Sequence, residues 1–351
     1  MANRITGATD TTGAISVRPK SAKSLLLVCK STATTGAAVP NTIYTITGTA
    51  DANAKFGETA AKLVKILINN GVDNIKCIAV SGDGASAYEA ALDKSMADTT
   101  IKTIILDVTT SEIVATLKAH LAKAENEDMF RYGVVGLIAT TIDTAVTEAN
   151  SINDKRIFTP FPHLVDVENN VLSGIYAAAG LAALIMTETS DPALPMNGVE
   201  FIGFGGTSLP LLKTNRTTLE QGGITAITSN GTPTVWRLVT TRTKDGNDEP
   251  DPIWHEGTTV FIADDVLETV ITTLQATYKR TKNTARILDA IRTTVIGILE
   301  AKEGLEIIEK FDKNTVSVIA DPEDVYGALV DYEFDVVTPL YTITITQHMK
   351  L

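Results

Sequence analysis

The sequence predicts an α/β fold: an N-terminal α/β region with a mainly parallel sheet, then a C-terminal α+β region, with extended arms at both ends. Three observations carry this expectation. Apolar runs of strand length alternate with helix-period segments from about residue 24 to residue 159, the pattern of βαβ crossovers. The character changes after a long apolar stretch at 171–187, where a Pro-containing connection leads into turn-rich strands and two amphipathic helices. The two ends hold either sparse apolar residues or strict alternation.

The elements follow in order. The first 22 residues are rich in Thr, Gly and Ala around isolated Ile5, Ile15 and Val17, as in an extended arm. Strands are expected near 24–29, 75–80, 101–107, 132–139 and 156–159, with helices near 58–69, 85–94, 111–124 and 143–152. Thr109 and Glu112 stand at capping-box spacing ahead of the third helix. The stretch VLSGIYAAAGLAALIMT reads as a buried helix with small-residue faces; it is short of a spanning length and broken by Ser173, Gly174 and Gly180. A short helix should stop at Gly222-Gly223, followed by a strand and by the strand TPTVWRLVTTRT. KDGNDEPDP is an exposed acidic loop. Two helices then present Val266, Leu267, Val270, Ile271, Leu274 and Tyr278 on one face, and Ile287, Leu288, Ile291, Val295, Ile298 and Leu299 on another. Strands return in TVSVIA, GALVDYEFDVV and LYTITIT. In the last, Tyr341, Ile343 and Ile345 alternate with Thr342, Thr344 and Thr346. A strand so placed must pair with an earlier strand or with another molecule.

Composition excludes several function classes. With 351 residues, 44% hydrophobic and 21% charged, the chain is an ordinary globular protein of about two domains. A net charge of −12 argues against an extended nucleic-acid footprint and disfavours adhesion to an anionic membrane. The two cysteines, Cys29 and Cys77, lie in separate strand-like runs and read as buried free thiols rather than a disulfide. The first residues lack the apolar segment of a signal peptide, so synthesis and retention in the cytosol are expected.

No chemistry stands out. Gly82 and Gly84 sit between a strand and a helix, but the spacing matches neither phosphate-binding glycine motif; a tight turn is the better reading, as it is for GFGGTS. His120, His163, His255 and His348 are scattered, so no metal site is expected. Asp264-Asp265 reads as a helix N-cap, and Asp321-Pro322-Glu323 as a cap followed by a first-turn proline. One segment departs from the acidic background. Lys279, Arg280, Lys282, Arg286 and Arg292 lie along YKRTKNTARILDAIR, with Arg286 opposite the apolar face and Arg292 at its edge, either as a solvated face or as a docking surface for an acidic partner.

Several stretches together resemble the tail sheath proteins of contractile phage tails and R-type bacteriocins. SGIYAAAGLAALIMTETSDPALPMNGVEFIG is similar to the family's helix and its connection into a strand. TTLEQGGITAITSNGTPTVWRLVTTRT is similar to its helix, Gly-Ile-Thr strand and Trp-containing strand. The Asn283 helix junction, GALVDYEFDVVTP and the alternating end complete a likeness over roughly 165–351. The basic-aromatic stretch before the long helix departs from the usual pattern, and the length leaves no room for a large outer insertion, which points to a minimal sheath.

The resemblance implies an arm at 1–22, an α/β domain at 23–165, a sheath-type α+β domain at 166–338 and a strand arm at 339–351. It implies a structural subunit with no cofactor and no catalysis, forming a helical homopolymer around an inner tail tube protein, with baseplate and tail-terminator partners. The subunit would be made in the bacterial cytoplasm and released in a phage tail or tail-like particle. Ile5, Ile15, Val17, Tyr341, Thr342, Ile343, Thr344, Ile345 and Thr346 would exchange strands between subunits. Lys279, Arg280, Lys282, Arg286 and Arg292 would face the tube. An α/β enzyme or small-ligand binder with an oligomerisation domain is the alternative, and a non-contractile tube protein a third class.

Overall fold

Leu25, Leu27 and Cys29 are buried on one side of the first strand, and Leu26 and Val28 on the other. A run apolar on both faces needs cover on both faces, and helices provide it. The computed structural model describes residues 23–324 and 326–341. The arm residues Ile5, Ile15, Val17, Thr342, Ile343, Thr344, Ile345 and Thr346 lie outside them.

The main sheet contains β1 (Ser24–Lys30), β2 (Ile43–Ile46), β3 (Ile75–Val80), β4 (Ile101–Leu106), β5 (Tyr132–Val134) and β6 (Ile157–Phe158), in the order β2-β3-β1-β4-β5-β6. All neighbours are parallel except β2, which pairs antiparallel to β3 at one edge. The connections hold α1 (Thr49–Phe56), α2 (Glu58–Asn69), α3 (Ala85–Ser95), α4 (Ser111–Asn126) and α5 (Ile142–Ile152). Tyr88, Ala91 and Leu92 of α3 and Ile113, Leu117 and Leu121 of α4 pack on Leu26, Val28 and Ile104. Leu63, Val64 and Leu67 of α2 pack on the opposite face. Cys29 and Cys77 are free and buried there, as their runs predict.

After the short strands β7 (Pro160–Phe161) and β8 (Leu164–Val165) comes α6 (Gly174–Glu188). It is apolar all round because it is enclosed. The main sheet lies on one side of it, and Ile227, Val235 and Leu238 of the next layer share its core. That layer contains β9 (Gly206–Thr207), α7 (Lys213–Gln221), β10 (Thr225–Ser229) and β11 (Pro233–Arg237), with β11-β10-β7 as a three-stranded sheet. Two glycines make α6 possible in this space. A Cβ at Gly180 would stand 2.8 Å from the Phe201 ring, and one at Gly174 would stand 2.1 Å from the Leu137 carbonyl oxygen. The expected stop of α7 is seen, with Gly222 at its end and Gly223 at φ +76°.

The chain then forms α8 (Pro252–His255) and two long helices, α9 (Gly257–Tyr278) and α10 (Ala285–Gly304). β12 (Ile308–Glu309), β13 (Ser317–Ala320), β14 (Ala328–Asp331) and β15 (Asp335–Val336) follow, pairing antiparallel as β12 with β15 and β13 with β14. Ile262, Val266 and Val270 of α9 meet Val295 and Leu299 of α10 and Val316 and Tyr332 in a separate core.

Three local expectations are corrected. Thr109 does not cap α4: its hydroxyl donates to the Gly136 carbonyl at 2.7 Å, and Thr110 is the N-cap residue. Asp264-Asp265 does not start a helix, because α9 begins at Gly257 and both carboxylates sit within it. Asp321 precedes no helix; its carboxylate accepts from the Glu323 amide at 2.8 Å, in the turn between β13 and β14.

Arg131 is fully buried beneath the first sheet. Its guanidinium donates to the Ser95 carbonyl at 3.0 Å, to the Asp98 carbonyl at 2.8 Å and to His120 Nε2 at 3.0 Å. Arginine has no acceptor, so Nε2 must accept and the proton of neutral His120 resides on Nδ1. Burial, then the Arg131 charge, pushes His120 down from 6.5 to about 4. The folded state therefore takes up its proton later than the unfolded state does. Stability from this group is complete above pH 6.5 and falls as pH drops toward 4. Denaturant unfolding across this window should lose up to about 3 kcal/mol, and His120→Gln should flatten that part of the curve.

Candidate functional site

Along α9, Phe261, Asp264 and Glu268 recur at helical spacing and face the edge of the main sheet, while Ile262, Val266 and Val270 face α10. One helix thus serves two cores. Phe261 meets Tyr132 edge-on at 4.9 Å and Phe158 at 5.6 Å, and Glu268 accepts from Lys102 at 2.8 Å.

Between these contacts lies a buried ion pair. Arg156 is 3% exposed and grips Asp264 with two hydrogen bonds, Nη1 to Oδ2 at 2.6 Å and Nη2 to Oδ1 at 2.8 Å. Asp264 Oδ2 also accepts from the Tyr132 hydroxyl at 2.7 Å, and Glu125 accepts from Arg156 at 3.0 Å and from Lys155 at 2.8 Å. Burial opposes the guanidinium charge, but Asp264 and Glu125 outweigh it and hold Arg156 well above the usual arginine value. Burial would raise the Glu125 carboxyl, yet hydrogen bonds and charge from Arg156 and Lys155 bring it down to about 2.

A cavity of roughly 220 Å³ opens beside this pair, lined by residues that include Glu125, Lys155, Arg156, Arg242 and Trp254. Its three cations all have carboxylate partners: Lys155 has Glu125, Arg156 has Asp264 and Glu125, and Arg242 has Asp251. No excess positive charge remains for an anion. Among the described residues no group of three or more His, Cys, Asp or Glu side chains is placed to hold a metal, and no helix is long and apolar enough to cross a membrane.

The basic segment forms the turn between α9 and α10. Lys279, Arg280, Lys282 and Arg286 are exposed there, and none has an ion pair among the described residues. Arg292 differs from the outward orientation expected for it. Its Nε donates to the Val316 carbonyl at 2.8 Å and its Nη2 to the Lys313 carbonyl at 2.9 Å, so it clamps the approach to β13. The tip is held by Asn283, which donates to the Gly327 carbonyl at 3.0 Å, and by the Tyr278 hydroxyl against Thr294 at 2.7 Å.

That tip adjoins the β13–β14 hairpin, which pairs with no third strand among the described residues. Ile319 on β13 is 53% exposed and Tyr326 in its turn 92% exposed. Tyr341, expected to exchange with a neighbour, lies in no strand, and its side chain contacts Arg237 and Glu256 of its own chain. No sequence signal marked Arg156 or Asp264 as partners, since they are far apart in the chain and only the fold joins them.

Asp264→Asn should cost about 3 kcal/mol, because it removes the bidentate counter-charge of a buried guanidinium and leaves only the partly exposed Glu125; chemical denaturation measures this. Glu125→Gln should act elsewhere. A carboxyl lowered from 4.5 to about 2 contributes stability above pH 4.5 that is lost as pH falls through 2. The substitution should flatten the acid limb there and leave the limb between pH 6.5 and 4.5 unchanged.

Residues 81–241 match the family model described as the phage tail sheath protein central domain. No curated protein matches the chain in sequence. Solved structures do match its fold. The sheath tail protein from Desulfitobacterium hafniense is 11% identical with a TM-score of 0.68, over 92% of this chain and 99% of that one. The sheath tail protein Lin1278 from Listeria innocua is 10% identical with a TM-score of 0.71, over 93% and 94%. The anti-feeding prophage helical sheath in its contracted state is 15% identical with a TM-score of 0.70, over 97% of each chain. The central-domain match thus lies inside a fold that the chain shares with sheath proteins over nearly its whole length.

Proposed function

We propose that the protein is the subunit of a contractile sheath, polymerising helically around an inner tail tube and contracting to drive that tube through a target envelope. The observation that carries this reading is the sheath fold over nearly the whole chain, including matches to contracted sheaths. The subunit does mechanical work and no catalysis. Its partners are copies of itself, the tube, the baseplate and a tail terminator, and it functions in a particle released from the cell that made it.

The joint between subunits is strand addition. A two-stranded hairpin is marginal alone and presents backbone donors and acceptors at its edges. The β13–β14 hairpin supports this reading as the acceptor, with the arm segments around Ile5, Ile15 and Val17 and Thr342–Thr346 as donors from neighbouring copies. Main-chain hydrogen bonds hold such a link while alternate side chains choose its register. The bodies then rotate past one another as rigid units, and new contacts in the contracted lattice supply the free energy.

Lys279, Arg280, Lys282 and Arg286 form the tube-facing tip, where four unpaired charges suit an acidic surface. Arg292, bound to backbone carbonyls, positions the tip rather than touching the tube.

Negative-stain electron microscopy tests the polymer: full-length protein should form hollow tubes, and a chain ending at Tyr341 should stay dispersed while remaining folded. Lys282→Glu with Arg286→Glu should abolish co-assembly with the tube at low salt, as measured by sedimentation. Undiminished co-assembly would remove the tip from the tube interface.

A further inference from the structure

Tyr341 stands where the chain has left the C-terminal core. After β15 pairs with β12, the segment 337–340 crosses toward the β10–β11 layer, with Leu340 70% exposed. Tyr341 then meets a prepared surface. Arg237, the last residue of β11, donates from Nε and Nη2 to Glu256 Oε2 at 2.9 and 2.6 Å, and from Nη1 to Glu220 of α7. Three nitrogens on two carboxylates fix the guanidinium plane and leave its π-face open. The Tyr341 ring covers that face at 4.5 Å, and its hydroxyl donates to the remaining Glu256 oxygen, Oε1, at 2.6 Å. Glu256 is 7% exposed at the start of α9, so its two oxygens are divided between Arg237 and Tyr341. Burial, reinforced by the Glu256 charge, pushes the phenol up, which keeps the hydroxyl a donor at neutral pH.

We propose that Tyr341 is the anchor of the C-terminal arm: Arg237 and Glu256 hold it to its own subunit, so that pairing with a neighbour begins at Thr342. A ring stacked on Arg237 cannot also serve as an alternating residue in a neighbour's sheet. The grip consists of one cation–π contact and one charge-assisted hydrogen bond, with no strand pairing, so it fixes the exit point and leaves rotation about it free. On the sheath reading, load on the arm enters the body at the β10–β11 layer and the root of α9, bypassing the β12–β15 ribbon. The pairing from Thr342 and this load path depend on the sheath reading. The anchor itself is intramolecular.

The test uses dilute, monomeric full-length protein and thermolysin cleavage of the Thr342–Ile343 bond. A protease needs several extended residues on each side of the bond, so cleavage requires Tyr341 to leave its site and reports the open population. Tyr341→Ala should be cut about tenfold faster than the parent, and Tyr341→Phe, which keeps the ring and loses the hydroxyl, at a rate between them. Circular dichroism checks that both variants keep the parent's fold, and the Phe variant carries the test if the Ala variant does not. Equal rates for the parent and the Phe variant would overturn the anchor. If the cleavage order holds while the parent forms no tubes, the anchor stands and the sheath reading fails.

Discussion

The seam between the main sheet and the α9–α10 unit depends on the Arg156–Asp264 pair. Two charges withdrawn from water are costly, and the cost is recovered only with good geometry and every remaining hydrogen-bonding group engaged. Here the grip is bidentate, Tyr132 engages one carboxylate oxygen again, and Glu125 takes a third bond from the guanidinium, leaving only Nε of Arg156 without a partner among the described residues. An apolar seam of the same area would tolerate sliding. A forked pair does not, because a small displacement loses both bonds together. The benefit is a single docking geometry between the two cores.

Around that seam, stability is graded. α6 lies between two layers and its neighbours fill both, so the interior near Gly180 and Phe201 has little freedom to yield. At the other extreme, β12 and β15 pair over two residues each, and β13 and β14 form a ribbon of two strands. Elements with few buried contacts open first. The result is a rigid body bearing a pliable rim, whose local opening leaves the core undisturbed.

The strands and helices of the first region were legible because each apolar run is long and bounded by turns. β2 and α1 were missed: IYTI is four residues long at an edge, and TADANAKF buries only Ala52 and Phe56, too little to produce a helical apolar stripe. The start of α9 was missed for the opposite reason. GTTVFIA is apolar on both faces, so its periodicity is hidden, and Asp264-Asp265 then resembles a cap when it is a buried partner and a surface one. Asp265 turns to Lys302 of α10 while Asp264 turns to Arg156. Sequence spacing placed the basic residues on one segment, but it could not separate Arg292, whose partners are backbone carbonyls of a loop.

Charge placement completes the logic. The net charge of −12 is spread over a body in which Arg156, Arg237 and Arg242 are committed to internal carboxylates. Copies of such a body repel one another, so association requires specific contacts to overcome a general penalty. Backbone hydrogen bonding is nearly indifferent to that repulsion, because amide groups carry no net charge. Lys279, Arg280, Lys282 and Arg286, without ion pairs among the described residues, stand at the tip of a helical hairpin whose first helix is fixed by Asp264 and Asp265. A positive tip on a negative body gives the chain a dipole, which any acidic surface attracts, that of another copy included.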